Sequence, residues 1–139
     1  MRSVLRPWLF IALSRSIRIT TGYSSQLNIG SGVYFNDGAV ISCLGKIDIG
    51  ENTLFGPGVK IFDNNHRFSR EEGVSRECTA GCITVGRSCW IASDVVLLKG
   101  TDIGDNCVIG AGCVIRGAVP AGSLVTRSGE QTTRPIETR

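Results

Sequence analysis

Several things are scarce in this sequence, and each scarcity removes a class of protein. The chain holds one histidine, His66, so no cluster of imidazoles can hold a catalytic metal. Cys78 and Cys82 make a C-x3-C with no evident fourth ligand, and no metal is expected. No apolar run approaches the ~18 residues that a membrane span needs. Neither G-x-G-x-x-G nor G-x-x-x-x-G-K-[ST] occurs, although "GDNCVIGAGCVI" is rich in glycine, so no nucleotide loop is predicted. Acids are missing from residues 1–26, which carry Arg2, Arg6, Arg15 and Arg18. The other 11 of the 15 basic residues stand against 12 acids. A near-neutral body without a basic stripe interleaved with aromatics argues against a nucleic-acid partner.

The segment "PWLFIAL" reads poorly as a secretory leader. Its apolar core is short, and Arg15 and Arg18 follow where small residues should mark a cleavage site. Two readings of residues 1–26 stay open, peripheral contact with an anionic membrane surface and packing against the body or a neighbouring subunit; we favour the second. The expected location is the cytoplasm, with the inner face of the membrane as the second reading, and the six cysteines are expected as thiols.

What the sequence has in abundance is order. Val85, Ile91, Leu97, Ile103, Ile109 and Ile115 follow one another at intervals of six. Four residues after each aliphatic comes a small or β-branched one: Cys89, Val95, Thr101, Cys107, Cys113 and Val119. An earlier tract keeps the frame with Ile29, Phe35 and Ile41 and, after a two-residue insertion, Ile49, Phe55 and Ile61. A period of six matches neither a helix nor an alternating hairpin strand. It fits a short strand plus a corner, three to a coil, so that each inward aliphatic stacks on the one about eighteen residues later and coils rise by ~4.8 Å. Gly30, Gly50, Gly86, Gly104, Asn52 and Asn106 supply the corners.

The frame vanishes between Ile61 and Ile83, where "FDNNHRFSREEGVSRECTAGC" is polar and carries His66. A long interruption of a compact repeat is usually functional. The expected organisation is an N-terminal segment over 1–26, a coil domain over 27–122 with an extruded loop over 62–82, and a polar tail over 123–139.

"DNNHRF" resembles the Asp-His-x-His-x-Phe stretch of bacterial hexapeptide-repeat sugar and polysaccharide O-acetyltransferases, a family that includes the maltose and galactoside acetyltransferases. "ITVGRSCWIASDVVLLKGTDIGDNCVIGAGCVI" is similar to their repeat run, and His66 precedes Trp90 by 24 residues, as in that family. The resemblance implies an all-β fold, a left-handed parallel β-helix of about four to five coils, assembled as a homotrimer with active sites between subunits. It implies transfer of an acetyl group from acetyl-CoA to a hydroxyl, with His66 as general base. Imidazole, with an unperturbed pKa of ~6.5, suits that task at neutral pH.

By position in the resemblance, Ser93 belongs to the thioester and oxyanion region. Trp90, Asn64, Asn65 and Asp63 are the acceptor-site candidates, and Trp90, Ser93, Ala111 and Arg116 the coenzyme candidates. Arg127 and Arg134 are further phosphate partners, and Asp63, Glu72 or a backbone carbonyl would orient His66. The chain departs from the family where Asn64 replaces a histidine, where Ala92 replaces a glycine, and where "VPAGSLVTRSGEQTTRPIETR" replaces a G-x-P-A-K tail. The same scaffold also serves sugar-amine N-acetyltransferases, serine acetyltransferases and non-catalytic scaffolds. Carbonic-anhydrase relatives need three histidines, which this chain lacks.

Overall fold

A computed structural model describes residues 12–13, 16–128 and 130–135. Among these there is no helix; the chain winds through about five turns of a parallel β-helix with three walls. The first wall stacks Tyr34–Phe35, Leu54–Phe55, Trp90–Ile91, Val108–Ile109 and Ser123–Ser128. The second stacks Arg18–Thr21, Val40–Cys43, Lys60–Phe62, Val96–Leu98 and Val114–Ile115, and the third Gln26–Ile29, Lys46–Ile49, Cys82–Val85, Asp102–Ile103 and Ala118–Val119.

The register follows the sixfold frame. Ile49, Phe55 and Ile61 pair with Val85, Ile91 and Leu97, which pair in turn with Ile103, Ile109 and Ile115. One turn lower, Ile29, Phe35 and Ile41 occupy the same columns. These side chains fill the interior, each worth roughly 1.5–3 kcal/mol of burial. The Phe35 and Phe55 rings stack with centroids 4.4 Å apart. Val33, Ala39, Thr53, Val59, Cys89, Val95, Thr101, Cys107 and Cys113 are buried at the corners, which is why that slot admits only small or β-branched residues. Cys89 and Cys107 behave as small hydrophobes there.

The corner residues act for two different reasons. Asn52, Ser88 and Asn106 turn the chain between the third and first walls in the left-handed backbone region. Gly50 and Gly86 instead permit close approach, because a Cβ on either would meet the backbone of the next turn within 2.6 Å.

Three boundaries differ from expectation. The helix begins before residue 27, since Arg18–Thr21 already pairs with Val40–Cys43; irregular spacing around Ile17 and Ile19 hides this turn from the period. The polar tail is partly wall, because Val125 pairs with Ile109 and Glu130–Pro135 folds back antiparallel on Ser123–Ser128. Val119 is a wall residue in register with Ile103, and not the small slot of a regular coil. The corner at Arg116–Gly117 is two residues shorter there, with Gly117 at φ +75°. Residues 1–11, 14 and 15 of the N-terminal segment lie outside the described residues, and with them the choice between membrane contact and packing.

Candidate active site

The expected loop is a β-hairpin. Asn64–Ser69 and Gly73–Ala80 pair antiparallel and leave the helix at the corner between the second and third walls. Asp63 anchors it. In the second wall Ile61 faces inward, and alternation puts Asp63 inward two residues on, above Cys43, with no exposure to solvent. A buried carboxylate must be fully hydrogen-bonded: its two oxygens accept the Leu44 and Gly45 N–H groups, each at 2.8 Å. The Asp63 carbonyl accepts the Gly81 N–H at 2.8 Å, which closes the base of the hairpin. The Cys43 thiol beneath is pushed up to about 11, first by burial and then by the Asp63 charge. Asp63 is therefore withdrawn from any acceptor and from His66.

His66 is exposed on the outer part of the hairpin. Its Nδ1 lies 3.1 Å from the Ser75 carbonyl oxygen and 3.6 Å from Cys78 Sγ. Neither Asp63 nor Glu72 orients it; a backbone carbonyl does. A carbonyl can only accept, so this bond requires the hydrogen on Nδ1 and leaves the Nε2 lone pair free. Asn64 is half-buried, with Nδ2 3.2 Å from the Ser42 carbonyl and 3.1 Å from Asp63 Oδ1, whereas Asn65 is exposed. A groove of about 520 Å³ in the curl of the hairpin is lined by Arg67, Phe68, Ser69, Glu72, Gly73, Val74, Ser75 and Glu77. Phe68 and Val74, cross-strand partners, are 80% and 74% exposed.

The coenzyme candidates gather elsewhere. Trp90 projects from the first wall, in an outward column with Tyr34, Leu54 and Val108. Ser93 and Ala111 occupy successive turns of the corner between the first and second walls, tied by the Gly112 N–H to Ser93 carbonyl bond at 2.9 Å. The backbone N–H groups of Ser93 and Ala111 make no hydrogen bond among the described residues. Arg116 lies on the next corner, after Val114–Ile115, apart from this column. Arg127 continues the column instead, its Nη1 3.4 Å from where a Gly112 Cβ would stand.

In a three-walled prism the hairpin's corner is opposite the first wall, so one chain does not unite His66 with Trp90 and Ser93. Sequence reasoning admitted a backbone carbonyl as the partner of His66 but had no side-chain pattern to place it at Ser75, and it missed the fate of Asp63, which the alternation from Ile61 would have revealed. Among the described residues no three metal-ligating side chains cluster.

Comparison with known proteins completes the picture. Residues 82–117 match the family described as bacterial transferase hexapeptide (six repeats). The galactoside O-acetyltransferase of Escherichia coli (strain K12) is 36% identical over 98 residues, 70% of this chain and 48% of the relative. A putative lipopolysaccharide biosynthesis O-acetyl transferase, WbbJ, of the same strain is 30% identical over 123 residues, 76% of this chain and 63% of the relative. The chain thus spans between about half and just under two thirds of the length of these two relatives.

A hexapeptide-repeat-containing acetyltransferase of Vibrio cholerae superposes with a TM-score of 0.80 at 22% identity, covering 92% of this chain and 72% of that one. Its complex with acetyl coenzyme A superposes at 0.56 and 23% identity, covering 92% and 66%. The likeness establishes the fold as a left-handed parallel β-helix.

Proposed function

We propose, from the premise that the chain is a hexapeptide-repeat member of the bacterial transferases, that it moves an acetyl group from acetyl-CoA to a hydroxyl of a sugar or surface-polysaccharide precursor. The observation that carries this reading is His66, the chain's one imidazole, exposed on a hairpin with Nδ1 engaged by a carbonyl and Nε2 open. Nε2 takes the proton from the acceptor hydroxyl as its oxygen attacks the thioester carbonyl; the tetrahedral intermediate then breaks its C–S bond, the CoA sulfur leaves with that proton from the imidazolium, and no acyl-enzyme forms. The unused Ser93 N–H supports a role as oxyanion donor. Ala111, small and one turn on, leaves room for the pantetheine arm, and its free N–H offers a donor to that arm. Arg127, on the same column, suits the coenzyme phosphates better than Arg116. The hairpin groove offers Phe68 to a sugar ring face and Glu72 and Glu77 to its hydroxyls, beside Asn64, Asn65 and Trp90. The O-acetyltransferase names of the two relatives support a hydroxyl over an amine.

The opposition of hairpin and first wall supports a site shared between copies, in which His66 of one chain reaches the Trp90 and Ser93 corner of its neighbour. A ring of three gives three equal sites. The apolar pair Phe68 and Val74 and the outward column of Tyr34, Leu54 and Trp90 give such contacts surface to bury. An acetyl-CoA donor implies work in the cytoplasm.

The test is release of free CoA from acetyl-CoA with a panel of sugar acceptors. His66→Ala is expected to lower turnover by at least about a hundredfold without altering the fold. Equal turnover in the variant would remove His66 from the mechanism, and no release with any sugar would point to a non-catalytic scaffold. Sedimentation as single chains at assay concentration would sink the shared site.

A further inference from the structure

Of the six thiols, Cys43, Cys89, Cys107 and Cys113 are buried and account for themselves as core. Cys82 faces outward from the third wall. Cys78 is different, because the ladder sets it directly opposite His66, and directly opposed residues of an antiparallel pair share one face.

Between Val74 and Cys78 the register shifts, so that Ser75, Arg76 and Glu77 bulge against Arg67 alone. A bulge re-aims the groups around it, and this one brings the Ser75 carbonyl to 3.1 Å from His66 Nδ1. Cys78 Sγ lies 3.6 Å from the same nitrogen and 3.9 Å from the Arg76 carbonyl oxygen.

The thiol has one hydrogen to give. Were it given to Nδ1, that nitrogen would carry no hydrogen and its lone pair would face the Ser75 carbonyl lone pairs. Given to Arg76, it leaves sulfur lone pairs toward Nδ1–H, and every group finds a complementary partner.

We propose that Cys78 is a positioning residue for His66: its sulfur is a second acceptor for the Nδ1–H, and with the Ser75 carbonyl it holds the tautomer and ring angle that leave Nε2 bare. The inference rests on the base role proposed above, but its first readout does not depend on turnover. A chain with one histidine gives one imidazole in a long-range nitrogen–proton NMR spectrum, and that spectrum reports the tautomer directly.

At a pH where the ring is neutral, the full-length protein is expected to show the Nδ1–H form. Cys78→Ala introduces a fraction of the Nε2–H form and lowers kcat about fivefold, the worth of one hydrogen bond, with KM for acetyl-CoA and sugar unchanged. Cys78→Ser, whose oxygen can accept, restores both. Unaltered circular dichroism and thermal midpoint show that the walls are intact.

The Nε2–H form in the unaltered protein would overturn the proposal. So would a Cys78→Ala variant with unaltered tautomer and kcat. If no acceptor is acetylated by any form, the acetyl-transfer reading fails while the spectra still decide for or against Cys78.

Discussion

The walls and the hairpin obey different rules although they belong to one chain. In the walls a large apolar residue every six positions is buried, and every strand between the end turns is hydrogen-bonded on both sides. The chemistry open to any position is reduced to fitting a triangular interior. In the hairpin only a two-stranded ladder exists, nearly every side chain meets water, and what counts is which polar atom faces which. The difference teaches that regular packing and exposed polar chemistry around His66 belong to separate stretches. The hairpin presents His66 to solvent while the buried Asp63 carboxylate pins its base to the corner below.

The contrast breaks most visibly in the core. Ile91 is fully buried, with Phe55 below and Ile109 above. Ile91→Ala should cost about 2–5 kcal/mol of unfolding free energy in a denaturant titration. Phe68→Ala, equally large in sequence terms but exposed, should stay within about 0.5 kcal/mol for the single chain.

A smaller effect tests the junction between the regions. Asp63→Asn removes the charge from two hydrogen bonds to the Leu44 and Gly45 N–H groups. A loss of about 1–3 kcal/mol is expected, accompanied by faster amide exchange at the hairpin base; slower or unchanged exchange there would mean that Asp63 is not the anchor.

pH sharpens the comparison from the wall side. Cys43 titrates near 9.0 when unfolded and is raised to about 11 in the fold. The folded state therefore keeps a proton that the unfolded state releases, so its contribution is complete below pH 9 and fades as pH rises toward 11. The denaturation midpoint should fall across that window, and Cys43→Ala should flatten the fall.

The mildest probe alters nothing. In the native protein Cys78 and Cys82 should react quickly with a thiol reagent and Cys43, Cys89, Cys107 and Cys113 slowly, with all six reacting after unfolding; a third fast thiol would mean that a wall breathes.

The walls were legible because a repeating environment imposes a repeating residue type. Ile49, Ile91 and Ile115 announce their columns without help from any distant residue. Legibility failed where the frame was altered by a neighbour. The shortened corner at Gly117 moved Val119 from a small slot to a wall, and the first turn escaped notice because its spacing around Ile19 is irregular. In the site, His66 stood out by being alone and out of frame, whereas Asn64 and Asp63 looked alike as polar residues of a loop. Only the strand running on past Ile61 separates them, turning the carboxylate inward and leaving the amide at the rim.

By itself the sequence determined the coil, its three columns and the place where the chain leaves them, since each depends on residue size at fixed intervals. Tertiary structure alone decided the rest. It made the interruption a hairpin, gave Asp63 to the corner below, and set the Ser75 carbonyl and Cys78 against one nitrogen of His66. Those contacts join residues from different turns or opposite strands. Their strength depends on direction and distance, which a one-dimensional pattern of polar residues does not encode.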